Sequence, residues 1–354
     1  GGNISSNFFT AANYQTVVHA SFAPAKSIAF QVKTQGFPIS IKKVNEENVN
    51  ERIDSAQFTL TNVSNGTQYV INGNESNTVI VPGTYNIVET VVPEGYQKMP
   101  DQTINITSEQ HFTWTDKPLK VKFYKEDSET RKRINNAGFN VYDGNTLLKF
   151  DNRDSNGCYK VNSNGSISEV FTDTNVNNGE ICLSYVTSNK TYKLVENTVP
   201  NGYKKMPDSQ ITATDKNNTA TNISEKGLTD TPLYMYFNKY DGNTNISLDD
   251  VGFKIYKNNK LVKFTTKSDD DCYIESSSGT IDTVYTKDIT IKSTKEDKSI
   301  ESKKISSGVC VKYITGNTDY EVREEVLPAG YTYFAKSKDA SKVIINVDKK
   351  TKIQ

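Results

Sequence analysis

The sequence predicts an all-β protein made of three tandem β-sandwich domains arranged in an elongated rod. Three observations predict this fold class: a motif that occurs three times, apolar residues alternating with polar ones around it, and a composition rich in Tyr, Thr, Asn and Gly. Alternation and this composition are typical of short strands joined by turns. A chain of 354 residues is long enough for two or three domains, and the repeat favours three.

The repeated motif is a Tyr-x-aliphatic-x-Glu stretch that continues into a Pro-x-Gly-Tyr turn. Its copies cover residues 85–96, 192–203 and 320–331. Side chains alternate across a strand, so the Tyr, the aliphatic residue and the Glu of each copy share one face. The pattern therefore predicts that three glutamates point into apolar cores: Glu89, Glu196 and Glu324.

A lysine and an aspartate recur with the same inward phase on other predicted strands. The lysines end an apolar alternation near the start of each unit: Lys43, Lys125 and Lys239. The acids end the alternation Phe112-x-Trp114-x-Asp116, then Leu228-x-Asp230, then Ile344-x-Asn346-x-Asp348. Buried ions are costly unless they are compensated, so the Lys, Asp and Glu of each unit are predicted to meet.

Two kinds of chemistry fit such a triad. Burial disfavours both ions, which would leave a neutral amine beside a protonated carboxyl group, and a glutamate could relay protons while an amide forms with loss of water. The alternative is a buried ion-pair network that forms no bond. Three copies in the same phase favour the amide. In unit three Asn346 could react in place of Asp348, with loss of ammonia.

Over about residues 37–354 the motifs resemble the collagen-adhesin B-type (Cna-B, SpaA-like) domains of Gram-positive adhesins and pilins, and the Tyr-to-Tyr stretch resembles the family's E-box. The resemblance implies immunoglobulin-like sandwiches with intramolecular isopeptide bonds, each promoted by the E-box glutamate. By position, the implied bonds join Lys43 to Asp116, Lys125 to Asp230, and Lys239 to Asp348. The implied catalytic residues are Glu89, Glu196 and Glu324.

The repeat also sets the expected domain boundaries, which are 37–118, 119–232 and 233–354. The sequences at the two junctions, 115–119 and 229–233, match, and each passes through one proline without a Gly/Ser linker. Residues 1–36 do not fit the repeat, and we expect a strand segment or the tail of a preceding domain, with strands over 16–22 and 28–32. We expect the chain to be a piece of a longer protein.

Four cysteines lie in insertions that units two and three carry between their second strand and the glutamate strand. Their matching places predict two disulfides, Cys158 with Cys182 and Cys272 with Cys310, and an oxidising location. Two pairs of buried reduced thiols are the alternative.

Composition excludes several classes of function. The 42 basic and 42 acidic side chains balance, so no net charge favours nucleic acid. No apolar run is long enough to span a membrane. The two histidines lie far apart in the sequence, and no metal site or cofactor is expected. We expect no enzymatic activity beyond the single autocatalytic cross-linking turnover of each domain.

These observations favour the stalk of a secreted, wall-anchored adhesin on a Gram-positive cell surface. We expect a monomer that projects a binding region toward a host matrix or cell-surface ligand, attached to peptidoglycan by sortase through regions outside this chain. One alternative is a sortase-assembled pilus subunit, although the Tyr-Pro-Lys pilin motif is missing. Another is a carbohydrate-binding or host-ligand-binding module whose contact surface is formed by insertions 143–182 and 257–310.

Overall fold

The computed structural model describes residues 34–215, 224–268, 270–294 and 299–332, with the backbone of further strands in 3–21 and at 342–347. The described residues form strands, turns and bends and contain no helix, so the predicted all-β class is confirmed. Nothing in this described portion is a helix that could cross a membrane.

Within the described residues, four short strands precede the first unit. They are β1 (Asn3–Ser6), β2 (Thr10–Ala11), β3 (Tyr14–Gln15) and β4 (Val18–Ser21). β1 pairs with β4 and β2 pairs with β3, both antiparallel. The strand expected over 16–22 overlaps β4, whereas the one expected over 28–32 lies outside the described residues.

Unit one is a sandwich of two sheets. Its strands are β5 (Phe37–Asn45), β6 (Gln57–Asn62), β7 (Gln68–Asn72), β8 (Thr78–Ile80), β9 (Gly83–Val91), β10 (Gln102–Ile106) and β11 (Gln110–Asp116). One sheet has the order β10-β9-β6-β7 and the other β11-β5-β8. Apolar side chains from both sheets form one core, including Ile41, Phe58 and Ile87. The first and last strands, β5 and β11, lie side by side and parallel.

Unit two repeats this plan with a longer insertion. Its strands are β12 (Lys120–Asp127), β13 (Gly138–Asp143), β14 (Thr146–Leu147), β15 (Phe150–Arg153), β16 (Tyr159–Val161), β17 (Val170–Phe171), β18 (Glu180–Ser184), β19 (Thr191–Thr198), β20 (Tyr203–Lys204), β21 (Ser209–Thr212) and β22 (Ser224–Pro232). The sheets are β15-β16-β18-β12-β22-β20 and β14-β13-β19-β21, with β17 beside β13. Again the first and last strands, β12 and β22, are parallel neighbours.

Unit three contains β23 (Tyr234–Asn238), β24 (Gly252–Lys257), β25 (Lys260–Leu261), β26 (Phe264–Lys267), β27 (Tyr273–Glu275), β28 (Val284–Tyr285), β29 (Lys287–Thr294), β30 (Ile300–Lys312), β31 (Thr318–Val326) and β32 (Lys342–Val347). Its sheets are β23-β30-β27-β26, with β29 beside β30, and β25-β24-β31-β32, with β28 beside β24. Core side chains again come from both sheets, so the predicted tandem sandwich architecture is confirmed.

One sequence expectation about unit three is wrong. The sequence predicts that Ile344, Asn346 and Asp348 share the inward face of a strand that meets Lys239, but β32 pairs antiparallel with β31. Ile345 lies opposite Tyr320 and packs against the core. The equivalent pairs in the other units are Ile104 opposite Tyr85 and Ile211 opposite Tyr192. β32 is therefore the counterpart of β10 and β21, and its inward phase is the opposite of the one expected.

Consecutive units contact each other through tyrosines at matching places. Tyr96 of unit one packs edge-on against Tyr185 of unit two, with 5.4 Å between ring centroids. Tyr203 of unit two packs in the same way on Tyr313 of unit three, at 5.6 Å. Backbone hydrogen bonds from Leu119 to Gly95 and from Leu233 to Gly202 accompany these contacts.

Candidate cross-link sites

In unit two the predicted lysine, aspartate and glutamate meet in the core. Lys125 on β12 lies opposite Leu228 of the parallel strand β22, two residues before Asp230. Its Nζ is 2.6 Å from Asp230 Oδ1, and Glu196 Oε1 reaches it at 3.3 Å from β19 in the facing sheet. The three side chains are fully buried. The site therefore joins the first strand to the last.

Unit one repeats this geometry. Lys43 on β5 lies opposite Trp114 of β11, and its Nζ is 2.7 Å from Asp116 Oδ1. Glu89 Oε1 lies 3.7 Å from the same nitrogen, and all three side chains are fully buried. The structure thus brings together the residues that the repeat predicted in both units.

Aromatic rings form one wall of each site. Lys43 Nζ lies 5.3 Å from the centre of the Phe58 ring, and Lys125 Nζ lies 5.5 Å from that of Phe139. Trp114 packs edge-on against Phe58 at 5.2 Å, which places this indole beside the wall. Such a wall excludes water and lowers the effective dielectric constant around the charges.

A backbone donor that sequence reasoning missed fixes each glutamate. Met99 donates its N–H to Glu89 Oε2 at 2.6 Å, and Met206 donates to Glu196 Oε2 at 3.0 Å. The other glutamate oxygen is left facing the lysine. The available signal was a Lys-Met-Pro tripeptide that follows the glutamate at the same distance in both units.

Burial shifts the acids toward their neutral forms. Desolvation raises the pKa of Asp230 to about 8; it outweighs the opposing charge of Lys125, and the charge of Glu196 adds a smaller upward contribution. Desolvation likewise raises the pKa of Glu89 to about 7, and the pKa of Asp116 also lies above its usual value. A protonated carboxyl group beside an amine is the pair that can condense to an amide.

The lysine and aspartate side chains of both sites lack hydrogen-bond partners among the described residues. No described residue forms a hydrogen bond of good geometry with the following buried atoms: Lys43 Nζ, Lys125 Nζ, and both carboxyl oxygens of Asp116 and of Asp230. Buried groups in this state are destabilising, and an amide bond would remove most of them.

Unit three shows only part of the site. Lys239 Nζ lies 3.1 Å from Glu324 Oε1, but the lysine side chain is 26% exposed. Asn346 lies on β32, beside β31 and not beside β23, and its side chain is not described. Asp348 lies outside the described residues. The Lys239–Asp348 bond stays a prediction.

The cysteines pair as the sequence predicted. Cys158 is bonded to Cys182 and Cys272 to Cys310, and no described cysteine is free. Each disulfide ties the main part of the insertion to β18 or β30, the strand beside the first strand of its unit.

In the described portion, no group of three or more His, Cys, Asp or Glu side chains is arranged to hold a metal ion.

Comparison with known families agrees with this architecture. The model of the SpaA family, described as a prealbumin-like fold domain, matches residues 37–118 and 119–227, more than half of the chain. The chain belongs to the SpaA family. This confirms the resemblance drawn from the E-box motifs. No curated protein matches the chain.

Several solved structures are similar to this SpaA-family chain. The shaft pilin SpaA of Lactobacillus rhamnosus GG is 15% identical, with 57% of this chain and 98% of that one covered and a TM-score of 0.28. A streptococcal ancillary pilin is 16% identical over 88% and 95% of the two chains, with a TM-score of 0.36. The Bacillus anthracis TIE protein is 15% identical over 94% and 52%, with a TM-score of 0.40.

Proposed function

We propose that this chain is a load-bearing stalk segment of a Gram-positive surface adhesin, whose units one and two close themselves by Lys43–Asp116 and Lys125–Asp230 amide bonds. The observation that carries the proposal is the repeated, fully buried contact between a first-strand lysine and a last-strand aspartate, at 2.7 and 2.6 Å. Units 37–118, 119–232 and 233–354 are its domains.

The chemistry follows from the raised pKa values of the aspartates and from their contact with the lysine amine. The amine, once it has given up its proton, attacks the carbon of the protonated aspartate carboxyl group, and a C–N bond forms. The glutamate takes a proton from the nitrogen and passes one to the departing hydroxyl, which leaves as water. Because the folded core holds amine and acid in contact, their effective concentration is on the order of 10⁵ M or more. Each unit reacts once.

The position of the bond gives it a mechanical role. In unit one, β5 begins the unit and β11 ends it, and the two strands run parallel with Lys43 near the end of β5. Tension applied along the chain would enter through β5, cross the Lys43–Asp116 amide and leave at Pro118. Residues 44–115 would lie outside the path of the force. Unit two has the same arrangement, with Lys125 and Asp230.

The wider role is proposed from the family and the location that disulfides require. The stalk stands on the cell surface, in an oxidising location, and holds a binding region that contacts a host matrix or cell-surface ligand. Sortase attachment to peptidoglycan is supplied by regions outside this chain. The rod is monomeric and stiff, because its units join through packed tyrosines rather than through flexible linkers.

Intact mass measured under denaturing conditions tests the bonds. We expect the oxidised chain to be lighter than its disulfide-bonded sequence by two molecules of water for units one and two. Glu89→Ala and Glu196→Ala should each restore one water, and peptide mapping should find Lys43 joined to Asp116 and Lys125 joined to Asp230.

The exposed Glu109 provides a matched control, since Glu109→Ala should leave the mass deficit unchanged. Full sequence mass in freshly purified protein would refute the amide bonds and leave two buried ion-pair networks. Single-molecule force spectroscopy tests the mechanical role independently of the mass measurement. Units one and two should not extend under force, whereas the Glu89→Ala substitution should allow unit one to extend.

A further inference from the structure

A side chain of unit two contacts the backbone segment that orients the glutamate of the unit-one site. The Lys98 N–H of unit one donates to Asp215 Oδ2 of unit two at 2.5 Å. The next amide along the chain, that of Met99, donates to Glu89 Oε2 at 2.6 Å. Two adjacent amides of one segment therefore connect Asp215 to the glutamate of the neighbouring unit.

This segment is held by few other contacts. Residues 97–99 belong to no strand. The Gln97 N–H donates to Lys117 O at 2.9 Å, and the Gln97 side-chain amide donates to Pro118 O at 3.2 Å, so one end of the segment is attached just after the last strand, β11. Because the segment lacks the regular pairing of a strand, its position depends on these bonds and on the one to Asp215.

The fold of unit two places Asp215 at the end that faces unit one. Asp215 follows β21, and the preceding residue, Thr214, donates its N–H to Ser224 Oγ at 3.2 Å, at the start of β22. β21 ends opposite Thr191, the first residue of β19. Glu196 lies five positions further along β19, roughly 16 Å away at the rise of a strand. Asp215 is therefore remote from the cross-link site of its own unit.

The charge of Asp215 also acts on the site of unit one. Desolvation raises the pKa of Asp116, and the negative charge of Asp215 contributes in the same direction. A raised pKa favours the protonated carboxyl group, which is the form that condenses with an amine. Contact and charge thus both lead from Asp215 to the site of the neighbouring unit.

We propose that Asp215 is a positioning residue for the cross-link of unit one, because it holds the Lys98 amide and thereby fixes the Met99 amide that orients Glu89. The inference rests on the amide chemistry proposed for unit one. Asp215 contacts none of the reacting atoms and exchanges no proton with them. The site of unit one is therefore complete only when unit two has folded against it, although unit one is synthesised first.

The rate of cross-linking in the full chain tests this role. The chain is made in a short pulse of cell-free synthesis under oxidising conditions, samples are denatured at intervals, and peptide mapping quantifies the joined peptides of each unit. Asp215→Ala should slow formation of the Lys43–Asp116 bond at least about tenfold, because a small displacement of a catalytic group is enough for such an effect. The Lys125–Asp230 bond should form at its normal rate in the same molecules, which shows that unit two has folded.

A conservative variant and a matched control separate positioning from other effects. The side-chain oxygen of Asp215→Asn can still accept the Lys98 N–H, so this variant should form the unit-one bond faster than Asp215→Ala. Thr187 of unit two also bonds to unit one, since its Oγ1 donates to Glu94 Oε1 at 2.9 Å in an exposed contact. Thr187→Val should leave the rate unchanged, because this contact does not lead to the segment that orients the glutamate.

Three outcomes would overturn the proposal. They are a normal rate of the unit-one bond in Asp215→Ala, equal slowing of the bonds in both units, and equally slow unit-one bonds in the Ala and Asn variants, which would leave only an effect of charge.

Retention of both waters by the unsubstituted chain would instead refute the function proposed for units one and two. Hydrogen exchange of the Met99 amide then judges the positioning, because this amide bonds to Glu89 and not to Asp215. Faster exchange of Met99 in Asp215→Ala, but not in Thr187→Val, would support the role of Asp215. Unchanged exchange would overturn it.

Discussion

Tyr203 of unit two and Tyr313 of unit three donate their hydroxyl hydrogens to the same atom, Asp127 Oδ2, at 3.0 and 2.8 Å. Asp127 is buried where the two units meet, and the tyrosine rings pack edge-on. Junction one uses a related arrangement, in which Asn45 Nδ2 donates to the Tyr185 hydroxyl at 2.6 Å. The polar residue two positions after the lysine therefore connects each cross-link site to the next unit.

Removing one hydroxyl should loosen this junction. A hydrogen bond to a charged acceptor contributes about 1.5–3 kcal/mol, so Tyr313→Phe should raise the rate of local opening roughly tenfold or more. Hydrogen exchange of the Leu233 amide, which donates to Gly202 at 2.8 Å across the junction, measures this opening. Tyr331→Phe is the control, because Tyr331 is 39% exposed. Unchanged exchange at Leu233 would show that the hydroxyl is dispensable.

Much of this arrangement could be predicted from the sequence, because a strict alternation fixes which side chains share a face. Lys125, Glu196 and Asp230 were placed together on that basis, and the structure has them in contact. The contacts between units were not predictable in this way. Tyr313 and Asp127 belong to different units, and alternation within a strand carries no information on what packs against its end.

The error at β32 has a specific physical cause. The stretch Val343-Ile344-Ile345-Asn346-Val347 has apolar residues in both phases, so either face could have been turned inward. The structure selects the phase of Ile345, which lies opposite Tyr320 and packs against the core. Pairing with β31 rather than β23 depends on the sheet as a whole, which local alternation does not specify.

A variant that cannot form the amide should show an inverted pH dependence of stability in unit two. Lys125→Met keeps Asp230 and Glu196 buried and removes the cation that lowers the pKa of Asp230, so this pKa stays at or above about 8. The folded state then holds a proton that the unfolded state has lost above about pH 4. The free energy of unfolding should fall by roughly 1.4 kcal/mol per pH unit between about pH 5 and pH 8.

Urea unfolding followed by hydrogen exchange of unit-two peptides measures this slope. The unsubstituted chain serves as the comparison, because an amide leaves neither Lys125 nor Asp230 able to titrate. A variant whose stability rises with pH would contradict the raised pKa of Asp230.

Reduction of the disulfides should affect unit three more than unit two. The Cys272–Cys310 bond closes a segment with a sequence separation of 38, and such a cross-link contributes about 4 kcal/mol by restricting the unfolded chain. Unit two has the proposed Lys125–Asp230 amide in addition to Cys158–Cys182, whereas the described part of unit three has no second cross-link. Calorimetry with and without dithiothreitol should show that reduction lowers the melting temperature of unit three more than that of unit two. A Cys272→Ser, Cys310→Ser variant identifies which transition belongs to unit three. An equal loss of stability in the two units on reduction would argue against an amide in unit two.

Two glycines in equivalent turns make it possible to distinguish the effect of the contact between units on stability from the effect of backbone strain. Gly202 and Gly330 both follow the Pro-x pair of an E-box and have φ values of +89° and +88°. A Cβ on Gly202 would lie 3.2 Å from Tyr313 Cβ, while a Cβ on Gly330 meets no described atom within 4 Å. Alanine in either turn bears the same cost of a left-handed backbone, about 1–2 kcal/mol.

Gly202→Ala should therefore destabilise the chain more than Gly330→Ala, and the difference measures the junction. We expect exchange at the Leu233 amide to accelerate in Gly202→Ala, since Tyr313 must move away from the turn to admit the methyl group, and to stay unchanged in Gly330→Ala. Equal effects of the two substitutions on stability and on exchange would show that the tyrosine adjusts at no cost, and that backbone strain alone explains the glycines.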